Sequence, residues 1–313
     1  MNIIPICFAF NHHVVMPAGV CFTSLLKNAL PDTFYEMHIL HGEGELNQEY
    51  QDQLTALKNI YPNCNFTFIN IGSAFDNVYI ARGVPKLTYY RILIPELLTQ
   101  FDKVIFSDVD IIFTGDLSDL YLNTDLGDNY LGAVRSALVK EKYVQSLGCN
   151  PADYTNGGFQ IYNSKAIRRD NMPPKLKELC GKEYFYLDQD ITNIIYKNRI
   201  TYISPSYNST QTFFEIAHNQ TERFAAQFTS QEIAEGLAPI VIHYNGVNPW
   251  QGFCPRHDVW WEHYRKSTYY NEDFYYKHYK KILTPKAKDL IKQLPKAILK
   301  KPFGKIYRKF FPY

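Results

Sequence analysis

The stretch FSDVDIIFTGDL, residues 106–117, places two acids one residue apart at the end of an apolar run. The segment KVIFSD, residues 103–108, predicts a buried strand, so Asp108 and Asp110 follow its carboxyl end. Carboxylates beside a core strand are costly to bury unless they are paired or bound to a cation. In open α/β sheets, ligands bind beyond the carboxyl ends of the strands. The stretch therefore predicts a ligand site at one rim of such a sheet.

Short apolar runs alternate with amphipathic helical patterns on either side of this stretch. Strands are predicted at residues 3–10, 36–42, 65–72, 103–108, 130–134, 157–163, 200–204 and 240–246. Helices are predicted at residues 17–30, 47–61, 87–98 (with a break near Pro95), 164–170, 173–180 and 188–198. The alternation predicts an α/β domain with a mostly parallel sheet. Because Asn11, His12 and His13 follow the first strand, they are expected at the same rim as the two acids.

The composition is that of a folded chain with a large core. Of 313 residues, 46% are hydrophobic, which is enough to exclude global disorder. Six cysteines are scattered without a CxxC pair, so reduced thiols in a cytosolic protein are expected. The N-terminal residues lack a basic region and a long apolar run, which argues against a signal peptide. No run approaches the length of a membrane-spanning helix.

The Asp-x-Asp pair alone leaves three interpretations open. The carboxylates could hold a divalent cation that also binds a diphosphate, because hard oxygen ligands suit Mg²⁺ or Mn²⁺. Asp108 could instead be a phosphate-accepting nucleophile, as in haloacid-dehalogenase-like phosphatases. Ile112 stands where that family has Thr or Val, and the motif lies far beyond the first strand. The third interpretation is a surface loop with two solvated acids.

The neighbouring motifs favour the first interpretation, because the chain resembles glycosyltransferase family 8 over residues 6–260. The resemblance implies a retaining enzyme with a GT-A fold, in which helices flank a Rossmann-like mixed sheet. It also implies a UDP-hexose donor (UDP-galactose or UDP-glucose), a Mn²⁺ or Mg²⁺ cofactor and a saccharide acceptor. Six stretches carry the resemblance in the family's order: residues 8–26, 87–98, 103–121, 124–134, 156–163 with LDQDITN at 187–193, and HYNGVNPW at 243–250.

The resemblance implies a metal site built from three residues. Asp108 and Asp110 would ligate the cation, with Asp108 also close to the nucleotide ribose. His243 would supply an imidazole nitrogen as the third ligand, and this mixture of ligands suits Mn²⁺. Gly246 would let the backbone approach a phosphate closely.

The resemblance also implies the donor-sugar contacts. Arg91 would bind the donor sugar or the diphosphate. Asn156 would contact the sugar, and Gly157 would leave room for it. Asp188 would bind sugar hydroxyls, while Gln189 would face the anomeric carbon.

The expected mechanism follows from the residue beneath the sugar. A double displacement needs a carboxylate nucleophile, whereas the amide of Gln189 is a poor one. Front-face attack through a short-lived oxocarbenium ion pair is therefore favoured, with the departing phosphate oxygen helping to deprotonate the acceptor. Asp190 is a further candidate catalytic carboxylate, although its position on a helix turns it away from Gln189.

The chain departs from the family pattern around the nucleotide. Relatives carry an Asp-rich uridine loop followed by a stacking aromatic residue, where this chain has Asn11, His13 and Val14. Asn11 can still hydrogen-bond a base edge. Asn248 stands where relatives place a diphosphate-binding Lys, and either Arg256 or the metal alone is expected to compensate. This missing Lys supports the alternative of a non-catalytic protein that binds nucleotide sugars or glycans.

The C-terminal end is a basic, aromatic segment. Residues 284–313 carry nine Lys/Arg and one acid, whereas the whole chain has a formal net charge of +2, so the remaining residues sum to −6. We divide the chain into a catalytic domain, residues 1–265, and a helical C-terminal segment, residues 266–313, that contacts a membrane. Nucleic acid is excluded as a partner, because the acidic body would repel it.

These patterns together predict one function. The chain is expected to transfer a hexose to lipopolysaccharide or another bacterial surface glycan. It is expected in the cytoplasm, attached peripherally to the inner face of the membrane.

Overall fold

The computed structural model describes residues 1–80, 86–219 and 222–283. The strands are β1 Asn2–Ala9, β2 Thr33–His41, β3 Cys64–Asn70, β4 Val104–Ser107, β5 Ile111–Phe113, β6 Leu131–Arg135, β7 Thr155–Tyr162, β8 Ile200–Tyr202, β9 Ser209–Thr210 and β10 Val241–His243. The α-helices are α1 Val15–Lys27, α2 Gln48–Thr55, α3 Ile94–Leu97, α4 Ser118–Asn123, α5 Glu141–Ser146, α6 Ser164–Arg169, α7 Pro173–Leu179, α8 Asp188–Ile195, α9 Gln211–Asn219, α10 Glu222–Gln227, α11 Ser230–Leu237, α12 His257–Arg265 and α13 Glu272–Leu283. The 3₁₀ helices are His12–Val14, Ala56–Asn59, Lys86–Leu93 and Pro205–Tyr207.

Seven strands form one mixed sheet in the order β3-β2-β1-β4-β7-β6-β8. Four of its pairings are parallel, and β7 runs antiparallel to both of its neighbours. The central strands are continuous apolar runs because helices cover both faces of the sheet. The expectation of a mostly parallel sheet is therefore confirmed, with β7 as the exception.

The two faces of the sheet bury alternate residues of β1. Ile6 and Phe8 pack with α1 on one face, whereas Cys7 packs on the other face with the 3₁₀ helix Lys86–Leu93. The predicted helix at 87–98 is this 3₁₀ helix followed by the short α3, which contains Pro95 in its first turn. All six cysteines are free in the structure, and five of them are buried.

A second sheet, of order β5-β10-β9, was not predicted from the sequence. Strand β5 has only three residues and follows the two acids directly, so it gives little periodic signal. It pairs antiparallel with β10, and Ile111 lies opposite His243 in the register. This pairing brings His243 beside Asp110, although 133 positions separate them in the chain.

The first part of the predicted C-terminal segment packs on the body. Phe274 of α13 lies against Trp261 and Tyr264 of α12, with ring centroids 6.0 and 5.6 Å apart. The ring of Tyr269 lies over Gly19 of α1, where an added Cβ would come within 2.0 Å of it. The division at residue 265 stays a prediction, and residues 284–313 lie outside the described residues. No described helix is both long and apolar enough to cross a membrane.

Candidate active site

Three side chains converge at the carboxyl end of β4. His243 Nε2 lies 3.4 Å from Asp110 Oδ1 and 3.9 Å from Asp108 Oδ2. One ligand atom from each residue falls within 4.8 Å of the others, so the group could hold a metal ion. The sequence predicted these three residues as ligands, and the structure brings them together.

The electrostatics of this group favour a cation. Burial raises the pKa of Asp108 to about 6, with Arg91 opposing the shift and Asp110 adding to it. Burial lowers the pKa of His243, but the charges of Asp110 and Asp108 outweigh it and raise that pKa above its ordinary value. Burial is the main cause of the Asp108 shift, with repulsion between the two carboxylates adding to it, and attraction to the same two carboxylates causes the His243 shift. A bound cation would relieve this repulsion.

The donor set also fits a divalent cation by its shape. Ligands about 2.1 Å from one ion lie roughly 3–4 Å apart, and the distances from His243 Nε2 to the two carboxylates, 3.4 and 3.9 Å, fall in that range. The ring of His243 reaches this place only because residue 158 is glycine. A Cβ on Gly158 would lie 2.1 Å from His243 Cε1 and 2.9 Å from Asp108 Oδ2. His243 Nδ1 lies 2.9 Å from Asn208 Oδ1, so the other ring nitrogen remains for a metal.

Arg91 connects the three candidate metal ligands, Asp108, Asp110 and His243 (the metal group), to the rest of the site. It is 4% exposed, and its guanidinium group stacks 4.2 Å above the ring of Phe106. Its Nη2 lies 3.2 Å from Asp108 Oδ1, its Nε lies 2.9 Å from Asp188 Oδ2, and its Nη1 donates to the Gly157 carbonyl. Burial would lower the pKa of Arg91, but the two carboxylates raise it. The buried guanidinium group of Arg91 is therefore charged and fixed between Asp108 and Asp188.

A cavity of about 730 Å³ opens above these residues. Eight of the predicted site residues line it: Arg91, Asp108, Asp110, Asn156, Gly157, Asp188, Gln189 and His243. Its lining also includes Lys140, a cation that the sequence did not single out, whose Nζ lies 3.5 Å from the ring centroid of Phe185. The convergence of these groups in one cavity defines the candidate active site.

Two hydrogen bonds hold the amide of Gln189. Its Oε1 accepts from the Gly157 N–H at 2.9 Å, and its Nε2 donates to the Tyr154 hydroxyl at 3.3 Å. The residue before Asp188, Leu187, is buried with φ of 52°, a strained backbone for a branched residue. This turn sets the direction in which Asp188 and Gln189 enter the cavity.

Asp190 has a different environment from the one predicted for a catalytic carboxylate. It is fully buried and does not appear in the cavity lining. It accepts from the hydroxyls of Tyr143 and Tyr154 at 2.6 and 2.5 Å, and from the Tyr186 N–H at 2.7 Å. These three donors engage both oxygens, so Asp190 supports the site from behind.

A smaller pocket of about 210 Å³ adjoins the metal group. Asn248, Trp250 and Val14 line it, and Asp108 is common to both cavities. Asn248 Oδ1 is buried without a hydrogen-bond partner. The partly buried ring of Trp250 supplies an aromatic surface here, which the sequence analysis did not locate.

Four other candidates line neither cavity. Asn11 caps the 3₁₀ helix that contains His13, accepting from the His13 N–H at 3.1 Å. Gly246 makes room for Gln211, whose Oε1 would lie 2.3 Å from an added Cβ. Arg256 donates to the Leu237 carbonyl at 3.0 Å and is therefore engaged away from both cavities.

Comparisons with known proteins identify the family of this chain. A family model described as glycosyl transferase family 8 matches residues 5–254. Glycosyltransferase GlyE from Streptococcus pneumoniae is 33% identical over 202 residues, which are 62% of this chain and 45% of GlyE. A putative glycosyltransferase from Haemophilus influenzae is 27% identical over 270 residues, which are 81% of this chain and 74% of that protein.

A solved structure of a glycosyltransferase also resembles this chain. Galactosyltransferase LgtC, in complex with donor and acceptor sugar analogues, matches with a TM-score of 0.71 and 26% identity. The match covers 87% of this chain and 99% of LgtC. The fold is thus the GT-A fold of glycosyltransferases. The chain belongs to glycosyltransferase family 8, and it spans less than half the length of GlyE.

Proposed function

We propose that this chain is a retaining hexosyltransferase that uses UDP-galactose or UDP-glucose and a divalent cation, Mn²⁺ or Mg²⁺. Its acceptor is a saccharide of a bacterial surface glycan such as lipopolysaccharide. One observation carries the proposal: a three-ligand metal group, a buried arginine and a fixed amide face one cavity of about 730 Å³. That set matches the charge pattern of a sugar joined to a diphosphate.

The residues around the metal group have separate roles in this proposal. Asp108, Asp110 and His243 hold the cation. When bound, the cation supplies Lewis-acid stabilisation for the leaving diphosphate. Arg91 adds a fixed positive charge near the same oxygens and costs no reorganisation, because its position is already set by Asp108 and Asp188.

The donor sugar lies over the far side of the cavity in the proposal. Asp188 accepts from sugar hydroxyls, and Asn156 contacts the ring from the opposite side. Gly157 keeps space for the sugar, because a Cβ there would lie 3.0 Å from Arg91 Nη1 and 3.5 Å from Gln189 Cβ. The amide of Gln189 faces the anomeric carbon and limits how the donor can rotate.

The smaller pocket takes the uracil in this proposal. Trp250 provides the ring surface that Val14 cannot, and base stacking on an aromatic side chain is worth about 1–3 kcal/mol. The unpartnered Oδ1 of Asn248 accepts a hydrogen bond from the nucleotide. Asn11 and His13 lie at the adjoining turn after β1 and contact the base edge. The backbone near Gly246 approaches the diphosphate.

Front-face attack suits a cavity in which an amide, that of Gln189, stands where a double displacement would need a carboxylate. The acceptor hydroxyl attacks the anomeric carbon from the side on which the diphosphate leaves. The departing phosphate oxygen takes the acceptor's proton, so no protein base is needed on that face. Gln189 shields the opposite face.

The C-terminal segment supplies the membrane contact in the proposal. Its support is the sequence of residues 284–313, where each basic residue near an anionic surface contributes about 1 kcal/mol. Such a contact places the protein peripherally on the inner face of the membrane, close to a lipid-linked acceptor. Flotation with anionic liposomes should recover the full chain but not a chain ending at Leu283. Equal recovery of both chains would remove the membrane contact.

A donor panel tests the central proposal. The full chain is incubated with Mn²⁺ and a set of nucleotide sugars, and free nucleotide and inorganic phosphate are measured. We expect slow UDP release from one hexose donor and none after chelation of the metal. Asp110→Asn should abolish that release, while Asp119→Asn, a matched change at an exposed acid of α4, should not. Donor binding without turnover would indicate a non-catalytic protein, and phosphate release from a monoester would indicate a phosphatase.

A further inference from the structure

A chain of buried hydrogen bonds leads from a backbone amide to the metal-facing nitrogen of His243. It begins at the Gly158 N–H, which donates to Asn156 Oδ1 at 2.9 Å. A backbone N–H can only donate, so the atom of Asn156 that faces it must be the oxygen. The orientation of the Asn156 amide is therefore fixed by the main chain of β7.

The second bond fixes Asn208. Its amide lies against the same oxygen of Asn156, and Nδ2 donates to that oxygen at 2.9 Å. The reversed amide would place two oxygen acceptors against each other, with no proton between them. Asn208 is 2% exposed, so water cannot compensate for such an arrangement. Oδ1 of Asn208 consequently points the other way, toward His243.

The third bond fixes the imidazole. His243 Nδ1 lies 2.9 Å from Asn208 Oδ1, an atom that only accepts. Nδ1 must therefore carry the proton. In the neutral imidazole the lone pair is then on Nε2, which faces Asp110 and Asp108.

We propose that Asn208 is a positioning residue that selects the metal-binding tautomer of His243. The inference rests on the proposed metal-dependent function but can be tested apart from it. Asn208 sits between the 3₁₀ helix Pro205–Tyr207 and β9, which pairs with β10 beside His243. Its backbone is thus anchored to the same small sheet as the ligand that it orients. Partners of this kind alter metal affinity about 10–100-fold when they are removed.

Two substitutions separate orientation from packing. Asn208→Leu removes the acceptor and should weaken Mn²⁺ binding about 10–100-fold, measured by electron paramagnetic resonance of the free ion without nucleotide. Asn208→Asp keeps an oxygen opposite Nδ1 and should restore most of the affinity, although it loses the donor to Asn156. Asn123→Leu, at an exposed asparagine of α4, is the matched control and should bind Mn²⁺ like the wild type.

The tautomer itself is measured on the wild-type chain. Protein labelled with ¹⁵N-histidine and saturated with Mg²⁺, which is diamagnetic, gives long-range proton–nitrogen spectra that report which nitrogen is protonated. The His243 signals are assigned by their loss in His243→Gln. A proton on Nδ1 is expected, and a proton on Nε2 would overturn the inference even if Asn208→Leu fails to fold. Wild-type Mn²⁺ affinity in folded Asn208→Leu would do the same.

The inference and the proposed function can fail separately. If the chain transfers no sugar yet shows the predicted tautomer and affinity loss, the metal site stands and the transferase proposal falls. If the chain transfers sugar while folded Asn208→Leu binds Mn²⁺ normally, the transferase stands and the role of Asn208 falls.

Discussion

Three glycines differ in what an added methyl group would meet, and they form a graded test of the metal site. At Gly158 the new Cβ would lie 2.1 Å from His243 Cε1, against an ordinary carbon–carbon contact of about 3.5–4.0 Å. At Gly157 it would lie 3.0 Å from Arg91 Nη1, and at Gly181 it would meet no atom within 4 Å apart from those of its two chain neighbours. None of the three has a positive φ, so the differences are steric.

The overlap at residue 158 cannot be relieved cheaply. His243 is 3% exposed and is held by its hydrogen bond to Asn208, while Asp108 is tied to Arg91. Forcing a methyl group into such a contact costs about 1–3 kcal/mol of folding free energy. It also separates His243 from Asp108, so we expect Mn²⁺ affinity to fall at least about 10-fold. The Gly157→Ala overlap is smaller, and its cost should be about 1 kcal/mol.

The assay measures both quantities on each variant. Urea unfolding gives the stability, and Mn²⁺ titration followed by electron paramagnetic resonance gives the affinity. The expected order of loss is Gly158→Ala, then Gly157→Ala, with Gly181→Ala within about 0.5 kcal/mol of the wild type. A folded Gly158→Ala that binds Mn²⁺ as tightly as the wild type would refute the placement of His243 beside the two acids.

Two further predictions concern acids outside the cavity. Tyr154→Phe removes the hydroxyl that lies between Gln189 and Asp190. We expect kcat to fall about 10-fold with little change in Mn²⁺ affinity. An unchanged kcat would show that other contacts hold Gln189. Asp116 accepts from two backbone amides and the Tyr35 hydroxyl. Burial raises the pKa of Asp116, but hydrogen bonds from Ser118, Leu30 and Thr33 outweigh it and hold that pKa below its ordinary value of 3.8. Its stabilisation is therefore complete above pH 3.8 and is lost as the pH falls through the lower folded value. Asp116→Asn should cost about 1–2 kcal/mol in urea unfolding at pH 7 and much less near pH 2, and an equal cost at both would contradict the assignment.

The sheet could be predicted largely from the sequence because its strands are long, apolar and regularly spaced. β1 to β4 each appear close to their expected positions. β5 and β9 have three and two residues, too few for periodicity to reveal. Their pairing with β10 depends on contacts between distant segments, which local pattern does not contain.

The residues of the site also differ in how far the sequence alone could predict them. Asp108 and Asp110 stand out because carboxylates at the end of a core strand are costly unless they are paired or bound to a cation. Asn208 and Tyr154 do not stand out, because each is an ordinary polar residue whose importance lies in a partner 35 positions away. The placement of Asp190 could not be predicted either, since its position beside Gln189 suggests catalysis, whereas the structure buries it outside the cavity lining.

The distribution of these acids bears on the mechanism. Three carboxylates line the cavity in the described part of the chain, and each has a partner suited to its charge. Asp108 and Asp110 face the imidazole of His243, and Asp188 is ion-paired with Arg91. A nucleophile for double displacement would have to give up one of these partners, and at the buried Asp188 the uncompensated charge left behind would cost about 3–5 kcal/mol. Front-face attack keeps all three partners in place, because the base that it uses is the departing phosphate oxygen. A covalent glycosyl-enzyme trapped on any of the three acids would reverse this reasoning.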